Sequence, residues 1–119
     1  MQFKENETIY SQIEKYVKRQ IFTGVYDAGG RLPAIREFAV EMKVNPNTIV
    51  KVYDILESQG IVISERTNGK FVTDDKELII RVKAEFIANE VKDFIKSIKG
   101  LADNEAEIIK YIKEYYGEF

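Results

Sequence analysis

The chain of 119 residues contains no cysteine and no histidine. The first absence removes disulfides, thiolate nucleophiles and zinc-finger ligands. The second removes the commonest general base and the commonest metal ligand. Neither a glycine-rich phosphate loop nor a nucleophile elbow can be read in what remains, so the sequence argues against an enzyme and against a bound cofactor. No apolar run approaches the roughly 18 residues of a membrane span, and the opening Met1 to Glu5 lacks the pattern of a signal peptide. The expectation is a soluble, cytoplasmic protein with no membrane partner. Internal repeats and low-complexity tracts are missing as well.

An excess of positive charge is also lacking, since the net charge is −2. Its distribution is uneven. Residues 1–73 carry ten Lys/Arg against nine Asp/Glu, a balance of +1, whereas residues 74–119 carry eight against eleven, a balance of −3. The mild asymmetry favours an anionic partner for the first part, without the strongly basic footprint of many nucleic-acid binders. With 45% apolar residues, seven Phe and seven Tyr, the length fits one domain, or a small domain with an appendage.

The stretch from Leu32 to Gly60 holds two short amphipathic patterns. Ile35, Phe38, Ala39 and Met42 fall at i, i+3, i+4 and i+7, and Ile49, Val52, Tyr53 and Leu56 repeat that spacing. Pro33 suits the first turn of the first helix. Asn45 is placed as N-cap, Pro46 as N1 and Gly60 as the C′ glycine of the second. Only Lys43 and Val44 separate the two patterns, which predicts a sharp helix–turn–helix. Asn45, Asn47 and Thr48 crowd the second helix's positive dipole end, where amides and a hydroxyl can meet base edges or phosphates. Simple capping and solvation explain the same residues, because helix–turn–helix units also occur in proteins that bind no nucleic acid.

Upstream, Ile9, Ile13, Tyr16, Val17 and Ile21 form the stripe of a helix over 8–22, with Thr8 as cap and a loop from Gly24 to Gly30. Beyond Gly60 the period changes. Ile61 to Ser64 and Lys70 to Thr73 are β-prone, and Asn68-Gly69 between them is a hairpin signal. Three helices and a hairpin make a winged helix–turn–helix, whose tip carries Arg66 and Asn68 with Lys70 nearby. Asp74 and Asp75 then open a long helix with Leu78, Ile79, Val82, Phe86, Ile87, Val91, Phe94, Ile95 and Ile98 on a broad apolar stripe. Gly100 stops it. Asp103 or Asn104 caps a last helix bearing Ile108, Ile109, Ile112, Tyr115, Tyr116 and Phe119. Two helices cannot cover so much apolar surface by packing on each other. A second copy of the chain is the favoured cover, and folding back onto the winged domain the rival.

Several of these residues together resemble a known family. Ile9-Tyr10-x-Gln12-Ile13, Gly24, Gly29, Leu32-Pro33-Ala34-x-Arg36-Glu37-Phe38-Ala39, Val44-Asn45-x-x-Thr48, Tyr53-x-x-Leu56-Glu57-x-x-Gly60 and Gly69-x-Phe71-Val72 are similar, in order and spacing, to the GntR-type transcriptional regulators. The match covers about residues 8–72. The short helical tail resembles the YtrA-type subfamily, in which two C-terminal helices mediate dimerisation. The resemblance implies residues 1–73 as a DNA-binding winged helix–turn–helix and residues 74–119 as a two-helix dimerisation tail. It implies a homodimeric, sequence-specific regulator, a repressor, on a palindromic double-stranded DNA operator.

Carried onto matching positions, the DNA contacts fall on Arg36, on Asn45, Asn47, Thr48, Val50 and Lys51, and on the wing residues Arg66, Thr67, Asn68, Gly69 and Lys70. On the apolar stripes of the tail, the expected dimer contacts are Val82, Phe86, Val91, Phe94, Ile98, Ile109, Ile112 and Tyr116. Arg36, Lys51, Arg66 and Lys70 would hold phosphates, and Asn47 and Thr48 would read bases. Three departures stand out. Ala34 replaces a frequent serine, Thr67 replaces the first glycine of the wing, and Pro46 and Val50 stand where some relatives place arginine. Val50 could instead touch a thymine methyl. A small-molecule effector would have to enter between winged domain and tail, or at the dimer interface. Tyr10, Tyr16, Tyr26 and Tyr53 are candidates to line that site, although aromatics at helical spacing more often form core. A winged-helix module that binds protein rather than DNA is the rival reading, favoured by the acidic overall balance.

Overall fold

The computed structural model describes residues 1–66 and 69–119. The chain forms two compact units, Met1–Ala84 and Glu85–Phe119. The element order is α1 (Ile9–Phe22), α2 (Ile35–Met42), α3 (Pro46–Ser58), β1 (Val62–Glu65), β2 (Gly69–Val72), α4 (Lys76–Ile98), α5 (Glu105–Tyr115) and a terminal 3₁₀ turn (Tyr116–Glu118).

In the first unit the three amphipathic stripes meet. Ile13, Val17 and Ile21 of α1, Phe38, Ala39 and Met42 of α2, and Ile49, Val52, Tyr53 and Leu56 of α3 are buried in one cluster. Thr8 caps α1, its Oγ1 accepting from the Ser11 N–H at 3.3 Å. Asn45 caps α3, its Oδ1 accepting from the Asn47 N–H at 2.8 Å, with Pro46 in the first turn. These caps satisfy donors that a helix start otherwise leaves open.

The turn between α2 and α3 is as tight as the spacing requires. Lys43 closes α2 in the left-handed region at φ 58°, and the Val44 N–H returns to Ala39 O at 3.0 Å. Gly60 ends α3 at φ +81°, and a β-carbon there would meet Leu78 Cδ2 at 3.1 Å. Both the conformation and the close approach call for glycine.

One expectation is corrected. Pro33 does not lie in the first turn of α2, which begins at Ile35 with Ala34 in the cap position and no side-chain cap bond. Leu32 pairs with β2 through its N–H to Lys70 O at 2.9 Å, and the Pro33 carbonyl accepts from the Tyr53 hydroxyl at 2.7 Å. Proline favours extended backbone in the residue before it, so the chain stays extended through Leu32.

Strands β1 and β2 pair antiparallel, with Val62 opposite Val72 and Glu65 opposite Gly69. An isolated bridge between Arg31 and Phe71 adds a short third segment on the other side of β2. Gly69 has φ +94°. The Asn68-Gly69 turn expectation involves Asn68, which with Thr67 lies outside the described residues. The first turns of α4 also belong to this unit. Asp75 Oδ1 accepts from the Leu78 N–H at 3.1 Å, and Leu78 and Ile79 pack against the core cluster. With three helices and a two-stranded hairpin, this is a winged helix–turn–helix followed by two further helices. The compact units divide within α4, after Ala84, whereas the sequence pattern places the boundary of the winged part at residue 73.

The second unit contains the C-terminal part of α4, α5 and the 3₁₀ turn. Gly100 at φ +93° follows α4. Of the two candidate caps it is Asn104 that starts α5, accepting from the Glu107 N–H at 3.1 Å, while Glu107 Oε2 accepts from the Asp103 N–H at 3.0 Å. The pairing resembles a capping box. No residue of α5 is buried. No helix among the described residues is long and apolar enough to cross a membrane.

Candidate nucleic-acid interface

The interface candidates start from α3, which is two-faced. Ile49, Val52, Tyr53 and Leu56 are fully buried, and this fixes where the remaining positions point. Asn45, Asn47, Val50 and Lys51 are exposed and Thr48 is half-buried. Asn45 spends its side-chain oxygen on the cap. The Asn47 side-chain amide makes no hydrogen bond among the described residues. Both its donor and its acceptor are therefore available, the pairing that reads adenine in a major groove.

Lys51 lies with Nζ 3.8 Å from the centre of the Tyr10 ring. This cation–π contact orients the ammonium while leaving its N–H groups able to donate to a phosphate. Tyr10 is thus a partner that helical spacing could not reveal, because it belongs to α1. Arg36 is exposed on α2 with no ion pair among the described residues.

In the wing, Arg66 and Gly69 are exposed, and Thr67 and Asn68, two expected contacts, lie outside the described residues. Lys70 departs from expectation. Its ammonium bonds to Glu57 Oε1, and to Ser64 Oγ at 2.5 Å, so it is paired within the chain rather than left free for a phosphate. The reason is geometric. Register sets Lys70 opposite Ser64, and the last turns of α3 bring Glu57 alongside. Burial by itself pushes the Glu57 carboxyl up. Hydrogen bonds from Lys70 and Ser64 and the Lys70 charge outweigh it, and hold that carboxyl below its ordinary value.

Arg31 was not singled out by the sequence. It is exposed, its backbone bridges Phe71, and its Nη2 stands 3.4 Å from where a β-carbon on Gly69 would be. The guanidinium therefore lies alongside Gly69, whose φ of +94° rather than any lack of space calls for glycine. A positive side chain immediately before the Leu32-Pro33 pair was the available signal.

The tyrosines proposed as effector lining are largely structural. Tyr53 is fully buried, its hydroxyl bound to Pro33 O, and Phe38 lies between Tyr16 and Tyr53 with ring centres 6.4 Å and 6.2 Å away. Burial raises the Tyr26 hydroxyl to about 12, with smaller contributions from Tyr16 and Glu41, so it stays protonated in ordinary conditions.

The expected dimer residues separate into two groups. Val82 is 7% exposed and joins the core of the first unit, so its side chain is not available to a partner. Helical periodicity shows that a face is apolar without showing what covers it, which is why Val82 read as interface. Phe86 and Ile98 are half-buried. Val91, Phe94, Ile109 and Ile112 remain between 38% and 49% exposed and line an open apolar groove of about 760 Å³ in the second unit, together with Ile95 and Ile108. Tyr116 is 81% exposed in the 3₁₀ turn.

Comparison with known proteins agrees with this architecture. The model of the bacterial regulatory proteins of the gntR family matches residues 9–72. The HTH-type transcriptional regulator YhcF of Bacillus subtilis is 32% identical over 114 residues, covering 96% of this chain and 94% of YhcF. The HTH-type transcriptional repressor YtrA of the same organism is 31% identical, covering 77% of this chain and 72% of YtrA. Among solved structures, a GntR family transcriptional regulator from Listeria monocytogenes superposes with a TM-score of 0.86 at 35% identity, covering 94% of this chain and 98% of that one. The matched span contains the α2–α3 turn, the capped start of α3 and the wing, and the likeness to the whole chains extends through the two C-terminal helices. The chain belongs to the gntR family of bacterial regulatory proteins and is a DNA-binding regulator of transcription, not an enzyme.

Proposed function

We propose that the protein is a homodimeric repressor that reads a palindromic operator with α3 and braces the DNA with its wing. The observation that carries this is the start of α3. Asn47 presents an amide unpaired among the described residues, beside a capped, proline-set helix end whose opposite face is locked in the core. Such a helix can enter a major groove as a rigid body, with Asn47 and Thr48 at base edges and Val50 near a thymine methyl. Arg36, Lys51 and Arg66 supply phosphate contacts, and Lys70 is left out of that set because it is already paired. The exposed groove of the second unit supplies the surface for a second copy, since an apolar patch of this kind marks an interaction site. Repression, rather than activation, follows the relative YtrA, which bears the name repressor.

Selection of binding sites from a random DNA pool tests the reading. The expected result is an inverted repeat whose half-sites lie about one helical turn, roughly 34 Å, or a multiple of it apart. A pool that yields single half-sites, or no enrichment, counts against it. Arg36→Ala should weaken binding to selected and random duplexes alike and reduce the slope of log affinity against log salt by about one unit, as loss of one phosphate contact requires. An unchanged slope removes Arg36 from the phosphate contacts. Asn47→Ala should lose about 1–3 kcal/mol of discrimination at one base position while leaving the others intact. Repeating the selection with the variant reads this directly, and an unaltered preference sinks the assignment.

A further inference from the structure

We propose that Glu57, Ser64 and Lys70 form a strut that fixes the wing against the DNA-reading helix, and that Lys70 is a positioning residue rather than a phosphate ligand. The inference rests on the reading of α3 and the wing as DNA-binding elements. Its basis is a closed triangle of hydrogen bonds joining three elements. Glu57 sits on α3, Ser64 on β1 and Lys70 on β2. Lys70 donates to Glu57 Oε1 and to Ser64 Oγ, and the Ser64 hydroxyl donates to the same Glu57 oxygen.

Two physical points favour a strut over a reserve of positive charge. First, the Lys70 and Glu57 side chains are only 23% and 29% exposed, so moving the ammonium onto a phosphate would strand a partly desolvated carboxylate. Second, the triangle crosses both strands of a hairpin. Two strands alone are marginally stable in water, and a polar tie to a helix is one way to hold their angle. On the other side of β2, the Leu32 N–H to Lys70 O bond at 2.9 Å ties the same residue's backbone to the segment leading into α2. Lys70 is therefore gripped by side chain and by backbone, and the exposed Arg66, four residues earlier in the hairpin, is carried by that grip.

The strut makes a prediction opposite in sign to simple electrostatics. Removing an acidic charge from a DNA-binding surface should strengthen binding, and freeing Lys70 should add a phosphate contact and steepen the salt dependence. If the strut governs, Glu57→Gln instead weakens binding, because the wing loses its angle.

The test measures anisotropy of a short labelled duplex of mixed sequence against the full chain at several salt concentrations. Wild-type binding that falls with salt is the starting condition, and its absence overturns the DNA reading and the strut with it. With wild-type binding in place, Glu57→Gln and Lys70→Met should each weaken binding about fivefold, the equivalent of one partly buried ion pair. The double variant should be no weaker than either single one. Arg66→Ala should lose less in the Glu57→Gln background than in the wild type, a non-additivity that a general loss of stability does not produce. Tighter binding by Glu57→Gln, or a Lys70→Met loss that survives unchanged in the Glu57→Gln background with a slope reduced by about one unit, overturns the strut and leaves the DNA reading standing. Should Glu57→Gln fold poorly, Ser64→Ala with amide exchange of the hairpin gives the second measurement. Faster exchange in β1 and β2 with α1 unaffected is expected, and unchanged hairpin exchange overturns the strut.

Discussion

Phe94→Asp is expected to make the protein monomeric in sedimentation equilibrium and to weaken operator binding by about 10²- to 10⁴-fold, the range by which linked sites gain over single ones. Phe94 is 44% exposed on α4 and lines both the main groove and a smaller hollow shared with Ile98, Leu101 and Tyr111. A second copy covering this face buries the ring, at about 1.5–3 kcal/mol for each side chain so enclosed. In the proposed two-fold dimer each substitution would act twice. A carboxylate in the same place must be desolvated without a partner cation, which costs several kcal/mol more. The free chain tolerates the change, because the position is open to water. The winged unit should then still bind a half-site weakly, and its helix content should persist by circular dichroism. Sedimentation of the variant as an intact dimer removes the groove from the interface.

Phe38→Ala is expected to cost about 3–5 kcal/mol and to lower the thermal midpoint on the order of 15–30 °C for a unit of this size. Phe38 is fully buried, and its ring lies 6.4 Å from Tyr16 and 6.2 Å from Tyr53, centre to centre, so one truncation removes a ring that packs from α2 against both α1 and α3. Domain stabilities lie at about 5–15 kcal/mol, so the loss is a large share of the total. Tyr53 holds the Pro33 carbonyl through its hydroxyl, and the loosening should reach the chain that leads into α2. A melt that shifts by less than about 5 °C would mean that the cavity collapses or fills, and that Phe38 is not the centre of the unit.

The local grammar of this protein was readable in its residues. Thr8, Asn45 with Pro46, and Gly60 announced the ends of α1 and α3, because caps are chemical requirements of a helix end rather than of its surroundings. The three buried stripes and the paired β-prone runs followed from periodicity. What escaped depends on distance through space. Lys70 looked like a free cation, and only the pairing of β1 with β2 shows that Ser64 and Glu57 claim it. The sequence marks Lys51 as a phosphate contact without showing its aromatic neighbour, because Tyr10 is forty-one positions earlier in the chain. Val82 shares its stripe with Val91 and Phe94, yet it is covered by its own winged unit while they stay open. A stripe is the same in sequence whether its cover comes from the same chain or another. The start of α2 was misplaced for a related reason, as Pro33 satisfies a helix start by its local preferences while Tyr53 and β2 hold the chain extended there.

The absence of any buried residue in α5 has a consequence for how the protein responds to its own abundance. An isolated helix of 11 residues falls below the length of about 12–15 at which helices become marginal in water, and the Asn104 and Glu107 cap adds only local support. In the proposed dimer, where a second copy covers it, α5 would gain its order from pairing, and pairing would depend on the square of the free chain's concentration. Dilution should therefore fray the C-terminal helix before it affects the winged unit, and expression level becomes an input that acts without any ligand.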